Sequence, residues 1–169
     1  MKTTDVLVIG SSAAGLVAAM TAKSINPDKQ VMVVRREDQT LVPCGIPYVF
    51  GSVDTTDKNV LPSNNMFESA GIDLVIDEVL SIDRTKKTCL LRSGDDVQYD
   101  KLVIGTGSTP TKPSWLKGAD LENVFTVPKD KTYLDAMQAR LDGCQRVVTI
   151  GAGFIHGLTT VGNRSAGRD

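Results

Sequence analysis

The stretch Asp5–Gly15, DVLVIGSSAAG, decides the fold. Its first five residues form a short, apolar, β-branched run that predicts a buried strand. A glycine-rich turn follows from Gly10 to Gly15, and Leu16–Ile25, LVAAMTAKSI, predicts a helix rich in small residues. Asn26–Lys29, NPDK, is a turn, and Val31–Val34, VMVV, predicts a second buried strand. Strand, turn, helix and strand make one βαβ unit, whose crossover should be right-handed.

A glycine turn that opens a helix after a buried strand suits a pyrophosphate. Glycines let backbone approach the ligand, and the helix N-terminus offers free N–H groups and a positive dipole end. Gly10 and Gly15 take the first and third glycine positions, with Ser11 between the first two. Ser12 stands at the middle position as a small polar substitute, Ala13 and Ala14 keep the approach open, and Ala18 and Ala19 let the helix lie close to the sheet. A plain tight turn between strand and helix is the competing reading of this motif.

A dinucleotide fingerprint also calls for an acid after the second strand, to accept from a ribose hydroxyl. Arg35 holds that slot, Arg36 follows, and Glu37 is the first acid. Three readings stand side by side. Glu37 reaches the ribose from a shifted turn, or the two arginines contact the adenosine or a phosphate, or the segment is a solvated charged turn.

Further along, Asn64–Ala70 predicts a short helix, and Ile72–Asp83 mixes strand signals with acids. Lys87–Gly105 reads as a hairpin around Ser93-Gly94-Asp95, followed by a buried strand over Lys101–Ile104. Thr132–Leu141 predicts a helix, and Arg146–Ile155, RVVTIGAGFI, predicts a strand entering a second glycine turn. The tail from His156 to Asp169 is polar, with no helical period.

Bulk properties narrow the function classes. The chain has 169 residues and a formal net charge of −1, which gives no hint of a nucleic-acid or membrane-surface partner. No apolar run approaches the roughly 20 residues of a membrane span, and the N-terminus shows no signal-peptide pattern, so the expected address is cytoplasmic. The three cysteines, Cys44, Cys89 and Cys144, are widely spaced and form no metal-type or C-x-x-C pattern. A disulfide framework is not expected, no metal site is expected, and a single histidine, His156, cannot make one alone.

Cys44 has an unusual setting: Leu41–Tyr48 reads LVPCGIPY, a lone cysteine between Pro43 and Pro47 and next to Gly45. Proline fixes φ and glycine admits close approach, so the segment is suited to holding one sulfur in a fixed place. Taken alone, Cys44 also reads as a buried structural cysteine.

Four motifs in order, DVLVIGSSAAG, LVPCGIPY, YDKLVIGTGSTPTKP and VVTIGAGFI, resemble the flavoprotein pyridine nucleotide–disulfide oxidoreductases. More narrowly they resemble the single-cysteine branch: coenzyme A disulfide reductases, NADH oxidases and peroxidases, and polysulfide or persulfide reductases. The resemblance covers roughly residues 1 to 155. It implies an α/β fold, a Rossmann-like FAD-binding domain with a parallel sheet and a small antiparallel insertion from Ile72 to Tyr99. The domains expected are an FAD-binding domain over 1–112, a connection and helix over 113–145, and the start of an NAD(P)-binding domain over 146–169.

The resemblance also assigns roles. The turn Gly10–Gly15 would hold the FAD pyrophosphate, and Thr106, Gly107 and Ser108 of the GTGS segment would pass under the cofactor. Val79 would give a backbone contact to the adenine, Pro43 would flank the flavin, and Gly151 and Gly153 would begin the NAD(P) site, with NAD(P)H expected for a full-length relative. Cys44 would be the catalytic sulfur, cycling between thiolate and a disulfide or oxidised form, with a helix N-terminus behind it favouring the thiolate. Cys89 and Cys144 read as structural.

Departures sort the branch. Peroxidases and water-forming oxidases resemble one another in a histidine within the first turn, where this chain has Ala13. Reduction of a disulfide, CoA-disulfide or polysulfide, a small-molecule sulfur substrate, is therefore the preferred activity, ahead of an NADH oxidase-like one. Coenzyme A disulfide reductases share SFxNC before the cysteine, whereas Thr40–Cys44 reads TLVPC, so Pro43 replaces an asparagine. His156 takes a glycine slot in the last turn, and family members continue well beyond Asp169. The expectation is a truncated or altered product, or a fragment of a longer chain, with little turnover alone. The alternative function is a catalytically incomplete flavin or nucleotide-binding module or an inactive fragment, with self-association or a partner subunit covering its exposed surface.

Overall fold

The computed structural model describes residues 1–151. Six strands form one sheet in the order β3-β2-β1-β6-β5-β4. The strands are β1 (Lys2–Ile9), β2 (Val31–Arg35), β3 (Asp73–Ile76), β4 (Val79–Asp83), β5 (Thr88–Leu91) and β6 (Asp96–Ile104). The helices are α1 (Ala13–Ile25), α2 (Ile46–Val49), α3 (Ser63–Ser69) and α4 (Lys131–Leu141). This is the mixed α/β, Rossmann-like arrangement expected, with β3, β2, β1 and β6 parallel and β4 and β5 running antiparallel at one edge.

Alternation along the strands explains why the sheet forms. Successive side chains point to opposite faces. Leu7 and Ile9 of β1 therefore join Met32 and Val34 of β2 in one apolar cluster with Cys89, Leu91, Val97 and Tyr99. Val8, Val31 and Val33 point the other way, where Leu16 and Ala19 of α1 and Phe67 of α3 cover them. Runs such as VLVI and VMVV are continuous because both faces are buried. Each fully buried Val or Leu contributes about 1.5–3 kcal/mol relative to exposure, so the β1–β2 pair and α1 anchor the sheet.

The chain divides into two compact units. Met1–Thr40 and Leu61–Gly107 form the first, which holds the whole sheet; Leu41–Val60 and the chain from Ser108 form the second. The second unit has its own core, in which Leu134 and Met137 of α4 meet Leu41, Ile46 and Phe50. Asp130 caps α4 by accepting from the Tyr133 backbone N–H at 2.7 Å.

The described structure departs from the sequence reading in three places. Of the antiparallel insertion expected from Ile72, β3 pairs in parallel with β2 and extends the main sheet, so antiparallel pairing begins only with β4 and β5. The hairpin strand and the strand expected at Lys101–Ile104 are one nine-residue strand, β6, whose residues Asp96, Val97 and Gln98 pair with β5 and which pairs with β1 from Val97 to Ile104. That strand is also less buried than expected, with Ile104 63% exposed. The strand expected from Arg146 is not formed over 146–151. A strand needs a ladder partner for its backbone groups, and the sheet of the described residues includes no strand over 146–151; Val148 and Ile150 are exposed. The remainder of that expected strand, Gly153 and His156 lie outside the described residues.

Candidate functional site

In the first unit, the glycine turn is held by backbone against backbone. Gly10 has φ +87°, a left-handed conformation that favours glycine, and its N–H donates to Val34 O at 2.8 Å. A Cβ on Gly10 would stand 2.5 Å from Gly105 O, and one on Gly15 would stand 1.9 Å from Gly10 O. Gly105 closes the set: its N–H donates to Ile9 O at 2.8 Å, and a Cβ on it would meet the Gly15 backbone at 3.2 Å. Gly105 belongs with the turn; the sequence reading placed it in the GTGS segment, Gly105–Ser108, without linking it to Gly10 and Gly15. The signal was present in GTGS, but the three-way glycine contact is visible only once β1 and β6 are paired.

The turn leads into α1 with unused polar groups. Ser12 is the N-cap of α1, yet its side chain makes no capping bond, and its Oγ is buried without a partner. The first turn of a helix leaves N–H groups without intrahelical acceptors, and no acidic side chain lies in the first turn of α1. Ala13 and Ala14 add only methyl groups, and Ala13 and Ala14 are exposed. A cradle from which Cβ atoms are excluded, beside an orphaned hydroxyl at a helix N-terminus, fits the diphosphate of a nucleotide cofactor.

Beside this turn, Arg35 ends β2 and is only 3% exposed. Its Nη1 donates to Ser11 Oγ at 2.9 Å, Thr40 Oγ1 at 3.0 Å and Ser63 Oγ at 2.8 Å. Its Nη2 donates to Asp38 O and Asn64 Oδ1. Burial lowers its pKa from the usual arginine value, against the attraction of Asp38 and Glu37. Arg36 is exposed and donates to Glu37 Oε1 at 2.9 and 2.7 Å, so the acid nearest the ribose slot is ion-paired with its neighbour. Val79 opens β4 opposite Leu91, at an irregularity in the β4–β5 ladder, and packs on the core cluster of Leu7 and Ile9.

The second unit carries Cys44. Pro43–Gly45 forms a single 3₁₀ turn that runs into α2, and Cys44 is exposed and unbonded to another cysteine. Pro43 stands at the first position of that turn, where its missing N–H costs nothing. The turn rests on Asn59. Asn59 is buried, its Nδ2 donates to Val42 O at 3.0 Å, and Val42 N–H donates back to Asn59 O at 2.9 Å. A Cβ on Gly45 would stand 1.9 Å from Asn59 Oδ1. Glycine next to the cysteine is therefore required because a side chain lies under it, and sequence reasoning missed that side chain.

Asn59 is in turn fixed by α4. It ends the short 3₁₀ turn Thr56–Asn59, whose Thr56 Oγ1 donates to Asp135 and whose Asp57 pairs with Lys131 at 2.8 Å. Lys131 also meets Asp135 at 2.8 Å, and these hydrogen bonds raise the Lys131 pKa and lower that of Asp57. Ser108 belongs to this unit, where Lys129 donates to its Oγ at 2.8 Å. Thr106 is exposed, and Gly107 has φ +71° with open space where a Cβ would be. Gly151 has φ +129°, and Gly153 lies outside the described residues. Cys89, by contrast, lies fully buried in β5, where desolvation raises its thiol pKa, in keeping with a structural place.

The family model for pyridine nucleotide-disulphide oxidoreductase matches residues 4–158. This chain belongs to the pyridine nucleotide-disulphide oxidoreductase family. An NADH oxidase of Methanocaldococcus jannaschii is 31% identical over 160 residues, covering 88% of this chain and 35% of that protein. The NAD(P)H coenzyme A polysulfide/persulfide reductase of Pyrococcus horikoshii is 33% identical over 161 residues, covering 89% of this chain and 35% of its own length. Among solved structures, the NAD-dependent persulfide reductase from A. fulgidus superimposes with a TM-score of 0.85 at 29% identity, over 96% of this chain and 32% of that one. The chain thus spans about a third of the length of these oxidoreductases. No helix among the described residues of this family member is long and apolar enough to cross a membrane.

Proposed function

We propose that this chain is the FAD-binding part of an NAD(P)H-dependent flavin oxidoreductase that reduces disulfides, CoA-disulfide or polysulfide through Cys44. The observation that carries the reading is the exposed Cys44 on a turn pinned by Pro43, Gly45 and Asn59, in a chain that also has a Cβ-excluding glycine cradle.

Gly10, Gly15 and Gly105 would leave room for the diphosphate of FAD, while the first-turn N–H groups of α1 and Ser12 Oγ would supply donors to it. Val79, Thr106, Gly107 and Ser108 remain assigned to further contacts with the same cofactor, and Gly151 and Gly153 to a pyridine nucleotide. When bound, the flavin supplies the two-electron relay between a nicotinamide donor and sulfur.

Cys44 would act as the thiolate. It attacks one sulfur of a small-molecule disulfide or polysulfide, the S–S bond breaks, and the departing sulfur leaves as a thiolate that takes a proton from water. A mixed disulfide on Cys44 remains for the next electron pair. The 3₁₀ turn presents the sulfur to solvent and to substrate, and Asn59 steadies it through its two bonds to the Val42 backbone. Ala13 provides no acid in the turn, which favours sulfur chemistry over peroxide or oxygen reduction. A cytoplasmic setting, which keeps thiols reduced, suits three free cysteines.

The experiment is a single turnover without a nicotinamide donor. The chain is loaded with FAD, reduced by light in the absence of oxygen, and mixed with a CoA-disulfide or polysulfide. The flavin absorbance should recover with the wild-type chain and stay bleached with Cys44→Ser. Equal recovery in both would remove Cys44 from the reaction.

A further inference from the structure

The glycine turn has a buried cation where the dinucleotide fingerprint expects an acid. Arg35 is 3% exposed, and all five of its hydrogen bonds go to neutral acceptors: three hydroxyls, one amide oxygen and one backbone carbonyl. Its Nε is buried without a partner. Among the described residues no carboxylate lies within ion-pair distance of it. Glu37 is engaged by Arg36, and Asp38 is exposed and meets Arg35 through its backbone carbonyl. Neutral hydrogen bonds orient a guanidinium but do not cancel its charge, and a buried charge without a counterion is costly.

The position of this charge matters. Ser11, one of the hydroxyls that Arg35 holds, is a residue of the glycine turn, and the next residue, Ser12, has a buried Oγ with no partner. Arg35 therefore lies behind a helix N-terminus that is already electropositive. We propose that Arg35 is a buried counter-charge for the ligand of the glycine turn: it makes that turn select an anionic, diphosphate-bearing nucleotide over a neutral nucleoside, and the ligand supplies the counterion that the protein omits. Arg35 acts through the turn as a positioning and charge-setting residue, with both terminal nitrogens already bonded to protein groups. The inference rests on the reading of the turn as a nucleotide site and adds to it the origin of its charge selectivity.

The test exploits Asn64, whose Oδ1 already accepts from Arg35. Asn64→Asp keeps the shape and the acceptor while giving Arg35 an internal carboxylate. ADP and adenosine are titrated calorimetrically into the 169-residue chain and into this variant at one ionic strength. The Kd for ADP should rise about tenfold in Asn64→Asp, adenosine binding should be unchanged, and the thermal midpoint without ligand should not fall. Arg35→Gln removes the charge and keeps a polar donor, and should weaken ADP binding by a similar factor while leaving adenosine binding unchanged. Equal ADP affinity in Asn64→Asp and wild type would overturn the proposal, as would unchanged ADP affinity in a folded Arg35→Gln chain. A wild-type chain that binds neither ADP nor FAD would instead bring down the reading of the turn itself, and the proposal with it.

Discussion

The glycine turn and the cysteine turn are both close-packed, but by different means. At the first, backbone meets backbone: Gly10, Gly15 and Gly105 exclude Cβ atoms because carbonyl oxygens and main-chain atoms occupy the space. At the second, Gly45 is required because the side chain of Asn59 lies beneath it. Backbone contacts between paired strands and a helix cannot relax locally, whereas a side chain can rotate or be removed. The first site should therefore be intolerant of change and the second tunable.

Five outcomes test that contrast. The largest effect is expected at Gly15→Ala, whose Cβ would press on Gly10 O at 1.9 Å with no side chain to move. It should cost about 3 kcal/mol or more and abolish retained flavin, measured by chemical denaturation and by absorbance. A mild loss would mean the turn can open.

Next comes Gly45→Ala, expected to cost about 2 kcal/mol by overpacking against Asn59. Asn59→Ala should cost about 1–2 kcal/mol through the lost bond to Val42 O and should change the rate at which iodoacetamide labels Cys44, followed in a Cys144→Ser background. The double variant Gly45→Ala/Asn59→Ala should be more stable than the sum of the two losses implies, because removing the amide clears the space. Strict additivity in a denaturation cycle would show that the two do not act through one contact.

The smallest effect concerns pH. Asp57 has its carboxyl pKa held below the ordinary 3.8 by Lys131. A lowered folded-state value means that the stabilisation is present above 3.8 and is lost as pH falls through the folded value. Acid should therefore loosen the Thr56–Asn59 turn and alter Cys44 labelling before the sheet melts, and Lys131→Met should remove that dependence. An unchanged acid profile in Lys131→Met would detach α4 from the support of the cysteine turn.

The two regions also differ in how legible they were. The βαβ unit could be read because strand runs, a glycine turn and a small-residue helix lie within thirty-five residues, so local pattern and tertiary contact coincide. Cys44 could be singled out from its flanking prolines and glycine, but Asn59 could not. It sits in a polar segment, and nothing local indicates that it folds back under Gly45. Arg35 was harder still. In the sequence it belongs to a charged run, RRED, that suggests solvent. Only the convergence of Ser11, Thr40 and Ser63 from three separated segments shows it to be buried. The strand expected at Arg146 illustrates the opposite error, in which apolar pattern was present but the sheet of the described residues includes no strand there.

Retention of FAD by the glycine turn and its surroundings can be measured directly. The most direct measurement is the absorbance spectrum of the purified chain, from the near-ultraviolet through the visible, after addition of FAD and desalting. Flavin bands should remain with the wild-type protein and be lost in Gly15→Ala. A well-folded wild-type chain that leaves the column without flavin would contradict the reading of the turn as a flavin site.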